Sequence, residues 1–194
     1  MRCFVALWPD DATRERLAAV AREQQRRFPR ARAMAAENLH LTLAFIGECE
    51  AARAAHVAAA LDALPFESFT WTLDAVGAFD RARVLWAAGP DCVPLAALAQ
   101  QVRSLLDRLR VPYDRKPFVA HVTLLRELTR DEARRAVAPI APPVLWRADR
   151  PQLLQSVRLQ GRHRYVRVAP APVEGTDFGA DQTLANPPLT SRDV

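Results

Sequence analysis

The chain has 194 residues, half of them apolar and a quarter charged, which suits a folded protein with a substantial core and excludes a disordered or fibrous chain. Its net charge of +5 fits a polyanionic partner, and nearly all of the positive charge is arginine, Lys116 being the only lysine. Genome composition accounts for such arginine and alanine richness equally well. No apolar run reaches the length of a membrane span, and the start lacks the pattern of a signal peptide. Cys3, Cys49 and Cys92 are widely spaced and form no C-x-x-C pair, so the expectation is a reduced, cytoplasmic protein.

In chain order, Arg2 to Trp8 reads as a strand, and Pro9, Asp10 and Asp11 supply a stop and a helix start. Leu17, Val20 and Phe28 follow at helical spacing. His40 to Ile46 reads as a second strand, followed by an alanine-rich helix over about 51–63. Phe69 to Val76 and Arg83 to Ala88 read as two strands joined by a connection containing Gly77. Leu95, Leu98, Val102, Leu105, Leu106 and Leu109 repeat at three and four residues, the stripe of a core helix. After a charged, proline-bearing loop (111–117) come a strand at Ala120 to Leu125, a short helix near 131–137, and a proline-marked linker at 139–143. Two or three strands then occupy Val144 to Val168. Residues 171–194 lose all periodicity and are expected to form a flexible tail, leaving 1–170 as one α+β domain.

Positive charge gathers in the second half. Residues 103–130 hold seven bases against three acids, and residues 147–167 hold six arginines against Asp149 alone. Such a field draws anionic substrates and makes association sensitive to salt.

Two stretches carry the chemistry: His40-Leu41-Thr42-Leu43 and His121-Val122-Thr123-Leu124. Strand alternation puts His40 and Thr42 on one face and Leu41, Leu43 and Phe45 on the other; likewise His121 and Thr123 oppose Val122 and Leu124. Two such strands side by side about a pseudo-twofold axis set two imidazoles and two hydroxyls around a gap that suits a phosphate. Opening a cyclic phosphodiester in line needs a base for the attacking water and an acid for the departing oxygen, and histidine serves either role near neutrality. The sequence offers no evident metal site, and no cofactor is expected. The other two histidines lack this setting. His56 sits in the alanine-rich helix, and His163, between Arg162 and Arg164, reads as a surface residue or a contact at the substrate rim.

In these residues the chain resembles the 2H phosphoesterase superfamily, and within it the RNA 2′,3′-cyclic phosphodiesterases, also called 2′-5′ RNA ligases, of LigT type. The resemblance runs over about 1–170. It includes Arg2-Cys3-Phe4-Val5-Ala6, Glu37-Asn38-Leu39 before the first motif, Gly77-Ala78-Phe79 with Val84-Leu85-Trp86, Lys116-Pro117-Phe118 before the second, and Ser156, Gly161 and Tyr165. It implies a bilobal fold, with two pseudo-symmetric lobes of antiparallel sheet and outer helices around a central cleft. It also implies hydrolysis of a 2′,3′-cyclic phosphate on RNA or a nucleotide to a 2′-phosphomonoester, with reverse 2′-5′ ligation as the same chemistry run backwards. By that resemblance His40 is the proton donor, His121 the proton acceptor, and Thr42 and Thr123 hold the phosphate. The expected partners are RNA ends or nucleotides bearing the cyclic phosphate, met by a monomer. Ala33-Met34-Ala35-Ala36 stands where the family often has an aromatic and a proline. Arg126 matches the family's arginine after the second motif, yet strict alternation turns it away from His121; it reaches phosphate only if the strand ends or twists there.

Overall fold

The computed structural model describes residues 1–159 and 161–171. The expected tail therefore lies outside the described residues, apart from Ala171, whose N–H bonds the carbonyl of Ala55.

The first strand, β1 (Arg2–Leu7), is buried from Cys3 to Leu7 because it has a neighbour on each edge. Helix α1 (Asp11–Arg27) starts where expected: the Asp10 carboxylate caps the Thr13 N–H at 2.8 Å, satisfying a donor the helix leaves open. A two-residue strand, β2 (Arg32–Ala33), and a 3-10 turn at Ala36–Asn38 then lead into β3 (Leu41–Glu48). Helix α2 (Ala51–Asp62) follows, then the hairpin of β4 (Thr70–Phe79) and β5 (Val84–Ala88), and helix α3 (Val93–Arg108), which buries Leu95, Leu98, Val102, Leu105 and Leu106. The remainder is β6 (Val122–Arg126), α4 (Arg130–Arg134), β7 (Ala138–Arg147), β8 (Gln152–Leu159) and β9 (Arg162–Arg167).

The fold is α+β, with all strand pairs antiparallel, in the order β7-β4-β5-β6-β3-β1-β8-β9, and with β2 added beside β6. The path divides at its middle. β3 and β6 meet through the single pair Leu41–Val122, with four strands on either side of that junction. The helices follow the same division. α1, which follows β1 of one lobe, packs on β6 and β7 of the other, while α3, which follows β5, packs back on β3. α2 then covers β8 and α4 covers β4, so each lobe repeats a strand, a long crossing helix, a histidine-bearing segment and a second helix.

The structure corrects three expectations. Gly77 lies within β4 rather than in a connection, and the turn is at 80–83. The glycine is required there by a close approach, since a Cβ would press into the Trp86 ring that crosses it. The prolines at 139, 142 and 143 lie within β7 rather than in a linker. β7 is an edge strand, where one row of N–H groups has no partner to lose. Phe45 does not share the core face of Leu41 and Leu43, because the pairing of β3 with β1 shifts register between Thr42 and Ala44.

Candidate active site

Both histidines sit just before their strands, between residues that pin the backbone. Leu39 and Leu41 are 0% exposed on either side of His40, and Val122 is 0% exposed after His121. His40 Nδ1 donates to the carbonyl of Asn38 at 2.7 Å, and His121 Nδ1 donates to that of Val119 at 2.8 Å. A carbonyl only accepts, so each neutral ring carries its hydrogen on Nδ1 and keeps a lone pair on Nε2. At His40 that lone pair accepts from the Thr42 hydroxyl at 3.1 Å.

The antiparallel Leu41–Val122 pair sets His40 across from Thr123 and Thr42 across from His121, placing the two imidazoles on a diagonal. Each motif is followed by the same irregularity. Along β3 the pairing steps from Thr42–Ala6 to Ala44–Val5, leaving Leu43 as an extra residue; along β6 it steps from Thr123–Trp86 to Leu125–Leu85, leaving Leu124. A bulge of this kind reverses the alternation beyond it. Leu43 and Ala44 are therefore both buried, as are Leu124 and Leu125, and the next residue returns to the face of the threonine.

That residue is Phe45 in one lobe and Arg126 in the other. Phe45 joins Phe4, Ala6, Leu154, Trp8 and Tyr165 in a small apolar cluster on the His40 face. Arg126 faces the same way as Thr123, paired through Val84, and its Nε lies 3.4 Å from Met34 Sδ. The bulge thus turns Arg126 to the side of Thr123, and its charge acts on both histidines. The bulge is itself held by the stretch that departs from the family pattern, since the Met34 N–H bonds the Leu124 carbonyl at 2.9 Å.

Aromatic rings back both imidazoles. His40 lies 4.9 Å from Phe4 and edge-on at 5.0 Å from Tyr165, and His121 stands edge-on at 5.0 Å from Phe79, which in turn touches Trp86 at 5.6 Å. Burial, the Arg126 charge and the neighbouring His121 push the His40 pKa down to about 4, against the opposing pull of the Asn38 carbonyl. Burial and Arg126 lower that of His121 as well, opposed by the Val119 carbonyl. In the free protein the site thus holds two half-buried imidazoles, both neutral near pH 7, under the influence of the Arg126 charge.

Residues 7–86 match the LigT-like phosphoesterase family. An RNA 2′,3′-cyclic phosphodiesterase of Archaeoglobus fulgidus is 34% identical over 129 residues, 65% of this chain and 72% of that protein. The chain belongs to the LigT-type 2H phosphoesterases. An Escherichia coli protein of the same description is 40% identical over 98 residues, half of this chain and 55% of its own length. The crystal structure of E. coli LigT complexed with 3′-AMP superimposes with a TM-score of 0.75 at 30% identity, covering 86% of this chain and 94% of that one.

Within this LigT-type fold the remaining histidines stand apart. His56 is exposed on α2. The exposed His163 ring lies 3.5 Å from Ser156 Oγ, while its main-chain carbonyl accepts from Asn38 Nδ2 at 2.8 Å. No sequence signal marks that last contact, nor Phe4, Phe79 and Tyr165 as neighbours of the imidazoles, because no local spacing relates those positions. Two concavities of about 260 and 160 Å³, one between α1 and β7 and the other beside Cys49 and Arg53, share none of these residues. Among the described residues no helix is long and apolar enough to cross a membrane.

Proposed function

We propose that the protein hydrolyses 2′,3′-cyclic phosphates on RNA ends or nucleotides to 2′-phosphomonoesters, with His40 and His121 as an acid–base pair. The observation that supports this reading is the Leu41–Val122 pair, which sets two imidazoles of the same tautomer diagonally across one strand junction, each with Nε2 free of the backbone. His121 Nε2 takes a proton from water as its oxygen bonds to phosphorus. The P–O3′ bond breaks, and His40 Nε2–H delivers its proton to O3′. Each transfer is worth roughly 10²–10⁴ in rate. Thr42, Thr123 and Arg126 hold the non-bridging oxygens, where donors already in place stabilise the charge that shifts onto them.

His40 is neutral in the free protein near pH 7 and must gain a proton to act as donor. The phosphodiester anion supplies the reason: a negative charge beside the ring offsets Arg126 and raises its affinity for a proton. Run in reverse, the same steps join a cyclic end to a 5′-hydroxyl. The names of the relatives support the hydrolytic direction. The catalytic unit is read as residues 1–170, acting as a cytoplasmic monomer without a metal.

The test is turnover of 2′,3′-cyclic nucleotides and of RNA bearing a cyclic end, with EDTA present. Activity that survives EDTA and disappears in both His40→Ala and His121→Ala is expected. Activity retained in either variant contradicts the assigned roles.

A further inference from the structure

One strand holds the segment that presents His40. Three consecutive residues of β9 engage it: the His163 carbonyl accepts from Asn38 Nδ2 at 2.8 Å, Arg164 pairs with Glu37 at 2.7 Å, and Tyr165 lies edge-on against the His40 ring at 5.0 Å. Asn38 is the centre of this arrangement. It is 6% exposed, its side chain clamps β9, and its own main-chain oxygen receives the His40 Nδ1 hydrogen. Its Oδ1 is buried and has no hydrogen-bond partner among the described residues. The second histidine is held differently. Its carbonyl comes from Val119, which is 53% exposed and has no polar side chain with which to clamp a neighbouring strand.

We propose that Asn38 is a positioning residue for His40. By fixing its own carbonyl against β9 it keeps the His40 hydrogen on Nδ1, so that the proton gained before catalysis goes to Nε2, the atom aimed at the leaving oxygen. A neutral imidazole without such an acceptor is free to exchange tautomers and to turn about χ2. Asn38 touches neither the phosphate nor the attacking water; it acts through the ring. The inference rests on the reading of His40 as proton donor.

The test is ¹⁵N NMR of the histidine rings together with steady-state kinetics for Asn38→Ala and Arg164→Ala. Asn38→Ala is expected to lower kcat about 10- to 100-fold, the scale of a misplaced catalytic group, with KM within about threefold. Its His40 ring nitrogens should move toward the mixed-tautomer values while those of His121 stay in place. Arg164→Ala, which removes a half-exposed partner, should shift His40 in the same direction by less. If Asn38→Ala does not fold, Arg164→Ala decides: unchanged His40 signals overturn the proposal. So do folded Asn38→Ala with wild-type kcat and tautomer, or equal movement of both histidines, which marks general loosening. If the wild type hydrolyses no cyclic phosphate, the functional reading fails, and the tautomer measurement still decides the role of Asn38.

Discussion

Leu41 and Val122, both 0% exposed, form the one backbone pair between β3 and β6, and each is flanked by a histidine and a threonine. The core contact and the site geometry are therefore one feature. Leu41→Ala is expected to cost about 2–5 kcal/mol, the range for a cavity left by a buried leucine. Because that cavity opens at the junction, kcat should also fall at temperatures where the protein is fully folded. Urea unfolding and kinetics on the same sample check this; loss of stability with unchanged kcat contradicts it.

Arg126→Met removes the positive charge that lowers both histidine pKa values while leaving a side chain of similar length. With an acid titrating near 4 in the free protein, kcat/KM should fall as pH rises through neutrality, because less of His40 is protonated. Without Arg126 that falling limb should move to higher pH. A rise in KM of about tenfold is expected from the lost contact to phosphate. A limb that stays in place or moves to lower pH shows that the guanidinium does not act on the histidines.

The low pKa of His40 also makes a statement about folding. The unfolded ring takes up a proton near its ordinary value of 6.5, and the folded ring only near 4, so the unfolded state binds more protons between the two. The contribution to stability is complete above pH 6.5 and is lost as pH falls through about 4. Thermal melts from about pH 7 to about pH 4 should show a smaller fall for His40→Gln than for the wild type. Parallel curves for the two proteins contradict the assignment.

Gly77→Ala drives a methyl group into the Trp86 ring, which lies across Gly77 and opposite Thr123. Overpacking of this kind costs about 1–3 kcal/mol. A shift in tryptophan fluorescence and a higher KM should accompany it, because the displaced ring packs on Phe79, which backs His121. Unaltered fluorescence and KM overturn this placement of Trp86.

The paired H-x-T-x stretches and the apolar stripe of α3 were both legible in the sequence, since each is a pattern within a short window. The bulges were not. Leu43-Ala44 and Leu124-Leu125 are the traces they leave, two adjacent buried residues in a strand that should alternate. Adjacent apolar residues also arise in helices, in strands buried on both faces and at strand ends, so such a pair does not by itself mark a bulge. Strict alternation therefore sent Phe45 to the wrong face and left the direction of Arg126 open. The prolines of β7 misled for a different reason, because edge position is a property of sheet order rather than of local sequence. Asn38 was visible only as part of a motif; its partner lies 125 residues away in β9.

The central claim is that the two imidazoles stand on opposite sides of one phosphorus. Its most direct test is a crystal structure with a nucleoside 2′,3′-cyclic vanadate, whose five-coordinate vanadium imitates the in-line transition state. Nε2 of His40 is expected within hydrogen-bonding distance of the apical ribose oxygen and Nε2 of His121 within that distance of the opposite apical oxygen, with Thr42, Thr123 and Arg126 on the equatorial oxygens. Vanadate bound away from the cleft, or touched by only one of the two rings, contradicts it.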